Sequence, residues 1–163
     1  MSISIKSKND IEKMRIAGQK ATSVLEMLRD HVIPGISTAK LDSLAFKFIT
    51  EELQCIPANI GYGGFPKTLC TSLNNVICHG IPSEDRILKN GDIVNIDVTV
   101  IDDGWHGDTS QMFFVGKVAP HAKRLVNVTK DCLYAGIEQV KPGAKLGDIG
   151  FAIPQLAEVN HYS

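Results

Sequence analysis

Two aspartates, Asp97 and Asp108, carry the most specific chemistry in this chain of 163 residues. Asp97 lies in the middle of DIVNIDVTVI, residues 92–101. Strict alternation there puts Val94, Ile96, Val98 and Val100 on one face of a strand and Ile93, Asn95, Asp97, Thr99 and Ile101 on the other. An aspartate is disfavoured inside such a strand. Residues 105–115, which hold Asp108, read as the antiparallel partner across an Asp102-Asp103-Gly104 turn. A loop at Asp102-Asp103 sets the two aspartates directly opposite each other. A loop at Asp103-Gly104 makes them diagonal neighbours on one face. A three-residue loop without a bulge separates their faces. Carboxylates paired across a ladder have Cβ atoms roughly 5 Å apart and repel. Three arrangements relieve that repulsion: a shared proton in an acid/base dyad, a divalent cation between them, or solvation at a sheet edge. Asp102 and Asp103 read as turn residues.

Other side chains could join this chemistry. His79 ends the apolar run Val76-Ile77-Cys78, and Gly80 and Pro82 place it where a strand stops. A histidine there is either a structural hydrogen-bonding group or a functional one. His106 shares a face with Asp108, but its place beside the turn favours a solvated role. Residues 61–66, GYGGFP, form a glycine-rich loop that either links or presents Tyr62 and Phe65 to a small apolar pocket. It is no phosphate loop, since neither GxxxxGK[ST] nor a post-strand GxGxxG occurs. His31, His121 and His161 have no identifiable partner.

Helices must frame these segments. Ile11, Met14, Ala17, Ala21, Val24, Leu25 and Leu28 recur at helical steps over 8–31, with a capping box at Ser7 and Asp10. Leu41, Leu44, Ala45, Phe48 and Leu53 mark a second helix over about 37–53, capped by Ser37 or Thr38. Residues 67–81 read as short strands broken at Asn74-Asn75. Two further helices cover about 120–140 and 145–159, the last kinked or shortened by Pro154. A helix, V-x-P-G, helix pattern occurs twice, at Val32–Gly35 and Val140–Gly143. The repeat suggests one complete half followed by the helical part of a second.

Composition bounds the class. The size is that of one domain. Seventeen Lys and Arg against eighteen Asp and Glu leave a net charge of −1, which argues against nucleic-acid binding through a basic face and against a polybasic membrane anchor. Four irregularly spaced cysteines without CxxC read as reduced thiols. The N-terminus has no signal-peptide core, and no stretch is apolar enough to span a bilayer. The expected location is the cytoplasm.

The segments DIEKMRIAG (10–18), GYGGFPKTLCTSLNNVICHGIP (61–82), LKNGDIVNIDVTV (88–100) and GWHGDTSQMFFVG (104–116) resemble the type I methionine aminopeptidases, in register from end to end. The resemblance implies the α/β (α+β) pita-bread fold, with residues 1–118 as a first pseudo-symmetric half and 119–163 as the helical part of an incomplete second. It implies hydrolysis of the bond after an initiator methionine when the next residue is small, through a water or hydroxide bridged by two divalent ions (Co, Mn, Fe or Zn). By position, Asp97 resembles the bidentate ligand of one metal and Asp108 a ligand bridging both. His79 resembles the catalytic histidine that contacts substrate. Tyr62, Phe65 and Cys70 match the methionine pocket, and Asn74 and Val76 match a monovalent-cation site. The implied partners are N-terminal methionines of nascent chains, with ribosome association, in a monomeric enzyme of the short bacterial form.

Three features depart from that family. One histidine and two glutamates of its metal site are not found here, so only a partial site and an inactive chain are expected. Asn59 stands where many bacterial members carry cysteine, and Pro154 interrupts a normally regular helix. The rival readings are a non-catalytic pita-bread binding protein and a prolidase- or creatinase-like enzyme.

Overall fold

A computed structural model describes residues 3–163. The chain forms two compact units, one ending at Val118 and the other spanning Ala119–Ser163.

The first unit opens with helix α1 (Lys8–Leu28). Ser7 and Asp10 make the reciprocal capping box that the sequence predicts: the Asp10 backbone N–H donates to the Ser7 hydroxyl, and the Ser7 N–H donates to the Asp10 carboxylate at 2.8 Å. A 3₁₀ turn at Arg29–His31 follows. Gly35, at φ 95°, then reverses the chain in a conformation that a side chain would strain. Helix α2 (Thr38–Lys47) is capped by Ser37, whose hydroxyl accepts from the Lys40 N–H, and it widens into a π-turn at Phe48–Glu52.

The sheet is antiparallel. Strand β1 (Ile56–Pro57) and strand β2 (Leu69–Leu73) pair end to end along one edge of β3 (Ile93–Asp102). Strand β4 (Trp105–Phe114) covers the other edge of β3 along its whole length. The turn between β3 and β4 is Asp103-Gly104, both at positive φ, and Asp102 pairs with Trp105. That two-residue geometry matches the right-handed twist of the strands.

Alternation holds along β3. Val94, Ile96, Val98 and Val100 are fully buried and meet Val24, Leu28, Leu41, Ile49 and Leu69 in one core beneath the two helices. Burial of this many branched side chains holds the sheet to the helices at about 1.5–3 kcal/mol each. The opposite face, with Asn95, Asp97 and Thr99, is left half-buried. Lys20 of α1 reaches Asp102 at the end of β3, 2.7 Å away, and fixes the helix over the strand.

Only one strand forms in 67–81. After β2 the chain turns at Asn74, φ 51°, and residues 76–79 stay exposed. Their apolar run therefore reads as a strand, but no second apolar layer among the described residues covers it. A single sheet-like contact remains: the Thr71 N–H donates to the Gly80 carbonyl at 2.7 Å.

The second unit is a helical hairpin, α3 (Pro120–Ile137) and α4 (Leu146–Val159). Gly143, at φ 87°, reverses the chain just as Gly35 does in the first unit. Gly136 lets α4 approach closely, since a Cβ there would meet the Ile153 side chain at 3.0 Å. Helix α4 runs on through Pro154 to Val159 and is not cut short there. The carbonyl four residues earlier, left without an N–H partner, belongs to exposed Gly150, where water can satisfy it.

Candidate active site

The register decides how the two aspartates meet. Asp97 pairs with Ser110, and Thr99 pairs with Asp108. The carboxylates are thus diagonal neighbours on the face turned away from the core, the second of the alternatives the turn allows. On its other side Asp97 pairs with Cys70 of β2. A row Cys70–Asp97–Ser110 therefore runs across the sheet beside a row that holds Thr99 and Asp108.

A cavity of about 800 Å³ opens over these rows. Asp97, Thr99, Asp108, His106 and Cys70 line its sheet side, while Tyr62, Phe65, His79 and Asn59 line its walls. The structure brings six of the sequence candidates to one place: Tyr62, Phe65, Cys70, His79, Asp97 and Asp108. It leaves two outside. Asn74 sits in the turn after β2, where its amide donates to Asp92 at 2.9 Å and its carbonyl oxygen accepts from the Ile93 N–H. Val76 closes that turn through its N–H to the Leu73 carbonyl.

Each wall has a local cause. Gly61, Gly63 and Gly64 all take positive φ, which coils the loop tightly enough to carry Tyr62 and Phe65 over the cavity. His79 itself has φ 55°, an uncommon conformation for a residue with a side chain. It is held there because Gly80 lies against β2: a Cβ on Gly80 would stand 2.1 Å from the Thr71 carbonyl oxygen. The start of β2 is anchored from the helix side. The buried Asp42 carboxylate of α2 accepts from the Thr68 and Leu69 N–H groups at 2.9 and 2.8 Å.

Burial, and after it the charge of Asp108, raises the Asp97 pKa above its ordinary value, while His79 opposes the shift. Burial and the nearby Asp97 charge push the Cys70 thiol up to about 11, so Cys70 is a neutral, uncharged wall near pH 7. Neither Asp97 nor Asp108 has a hydrogen-bond donor among the described residues. Hard, unpaired carboxylate oxygens that repel one another suit a divalent cation. No group of three or more His, Cys, Asp or Glu side chains converges among the described residues. Asp97 and Asp108 by themselves are two carboxylates of the type a divalent cation takes, fewer than its coordination sphere needs.

His106 is exposed beside the turn, as its place in the sequence predicts, and it lines the cavity on the same face as Asp108. Thr99, on the face that the alternation predicts, also lines the cavity. Both follow from the alternation that located Asp97. Asp42 was missed altogether, because nothing local in α2 signals a carboxylate that binds a strand 26 residues on.

Residues 12–163 match the family described as metallopeptidase family M24. A methionine aminopeptidase of Rickettsia prowazekii is 56% identical over all 163 residues, and one of Escherichia coli strain K12 is 51% identical. The chain spans about 62% of the length of each of these curated relatives. A crystal structure of methionine aminopeptidase from Rickettsia prowazekii superposes with a TM-score of 0.97 at 56% identity, covering 99% of this chain and 64% of that one.

Proposed function

The chain belongs to metallopeptidase family M24 and has its pita-bread fold, and from that premise we propose that it is part of an aminopeptidase that removes N-terminal methionine from polypeptides whose second residue is small. The observation that carries the proposal is the shared cavity, in which an apolar wall stands directly beside a carboxylate pair. An exopeptidase for methionine needs both.

Tyr62, Phe65 and Cys70 would enclose the unbranched thioether, which packs well against aromatic rings. The neutral Cys70 thiol adds no charge to that wall. His79, on the cavity wall, would donate a hydrogen bond to the scissile carbonyl oxygen as negative charge develops there. Asp97 and Asp108 would hold divalent metal, manganese, cobalt, iron or zinc. Such ions supply Lewis acidity and make bound water more acidic. Metal use is a property of the family.

On this reading residues 1–118 form the first pseudo-symmetric half and residues 119–163 the helical part of the second. The turn at Asn74 and Val76 is the monovalent-cation position. The partners are nascent chains at the ribosome, met in the cytoplasm by a monomer. No described helix is long and apolar enough to cross a membrane. The 163 residues by themselves bind divalent ions weakly and release little methionine, since two carboxylates leave most of the coordination sphere to water.

The test is methionine release by the full-length protein, as its cells make it, from Met-Ala, Met-Gly and Xaa-Pro peptides with each of the four metals. Release from Met-Ala and Met-Gly, lost in Asp108→Asn, is the expected result. Preference for Xaa-Pro, or no release with any metal, overturns the reading.

A further inference from the structure

Asn59 is the one carboxamide on the lining of the cavity. Its orientation is fixed. The Nδ2 group donates to the Thr68 carbonyl at 2.9 Å, and a carbonyl can only accept, so the NH₂ end must point that way. Thr68 is itself buried and pinned through its own N–H to Asp42. The amide is therefore held through Thr68 and Asp42 to α2, and it does not turn freely. One N–H of Nδ2 and the Oδ1 atom remain without a partner among the described residues.

An apolar side chain that covers this amide leaves those groups unpaired and dry, which costs free energy. A thioether sulfur is only a weak acceptor. A side chain of the same length that carries a strong acceptor would satisfy the spare N–H instead. From this we propose that Asn59 is a specificity-determining residue that admits N-terminal side chains of methionine length bearing a hydrogen-bond acceptor, of which methionine sulfoxide is the chemical type. The inference rests on the aminopeptidase reading and extends its substrate class. The bond cleaved is the same peptide bond, and the sulfoxide takes no part in the reaction.

The experiment compares kcat/KM for Met-Ala and methionine sulfoxide-Ala peptides in the full-length protein and in Asn59→Leu and Asn59→Ala. Both peptides are measured on one preparation, so the ratio is independent of how much variant is folded. The expected result is a sulfoxide-to-methionine ratio that falls about tenfold in both variants, the worth of one neutral hydrogen bond. A ratio that stays within about twofold of the parent in both variants, less than such a bond supplies, overturns the inference and leaves the aminopeptidase reading standing. No cleavage of either peptide overturns both.

Discussion

Gly107 of β4 lies against Ala17 of α1 so closely that a Cβ on Gly107 would stand 2.0 Å from the Ala17 carbonyl oxygen. The two neighbours of Gly107 on its strand, His106 and Asp108, face the cavity on the other side of the sheet. One residue thus sets both how near the helix sits and how the site is presented. Gly107→Ala forces backbone apart, because neither partner is a flexible side chain. The expected cost is about 3 kcal/mol, at the upper end for overpacking. Denaturant unfolding of the variant measures it, and a loss under about 1 kcal/mol would show that the contact relaxes freely.

Asp42→Ala leaves the N–H groups of Thr68 and Leu69 without an acceptor. The expected destabilisation is about 2–3 kcal/mol. Asp42→Asn keeps an acceptor oxygen and costs far less. Equilibrium unfolding of the two variants side by side separates loss of the acceptor from loss of charge.

The same carboxylate gives a pH signature. Burial raises the folded pKa of Asp42 above its unfolded value, and the two N–H donors and Lys67 only partly offset this. The folded chain therefore holds this proton more tightly than the unfolded chain does. The contribution of Asp42 to stability is greatest below the unfolded carboxylate pKa and declines as pH rises through the raised folded value. Unfolding free energies measured upward from the ordinary carboxylate range should decline less steeply in Asp42→Asn than in the parent. Equal slopes would rule out a raised pKa.

Asp97→Asn removes one member of a repelling pair. Without metal the variant should be slightly more stable than the parent, since burial and the diagonal Asp108 both disfavour the Asp97 charge. In the full-length protein its melting temperature should no longer respond to added manganese, whereas the parent should show a rise. Thermal melts in chelator and in metal check both signs in one experiment.

Gly80→Ala tests how His79 is placed. The new Cβ would meet the Thr71 carbonyl at 2.1 Å, so the 79–81 segment must lift from β2 and carry His79 with it. In the full-length protein, kcat/KM on Met-Ala should fall by at least about tenfold, the smallest effect expected when a positioned group is displaced. The metal-induced rise in melting temperature should survive, because Asp97 and Asp108 lie on other strands.

Much of this arrangement was legible because it is periodic. Alternation alone placed Asp97 and Thr99 on the face opposite Val98, and helical spacing placed Val24 and Leu28 in the core. The register was not legible, since Asp102-Asp103 and Asp103-Gly104 are both acceptable turns on composition. The positive φ that Gly104 accommodates so readily selects the second. The segment after Asn75 misled for a physical reason: Val76 and Ile77 have strand-like side chains, but nothing among the described residues layers over them. Pro154 does not cut α4 short, because the carbonyl it leaves unpaired, that of Gly150, is open to water. Long-range polar contacts, such as Asp42 to Thr68 and Asn59 to Thr68, leave no local pattern at all.

Of the four strands, β3 is hydrogen-bonded along both edges, by β4 on one side and by β1 and β2 on the other. Its amides can exchange with solvent hydrogen only when the whole unit opens. The Tyr62–Gly64 loop and residues 76–79 have no such ladder; turn hydrogen bonds hold the first, and Gly80 against β2 holds the second. The cavity therefore joins two kinds of wall. Opening the Asp97 side means breaking a ladder on both edges of β3, whereas the Tyr62 and His79 sides rest on a few local hydrogen bonds each.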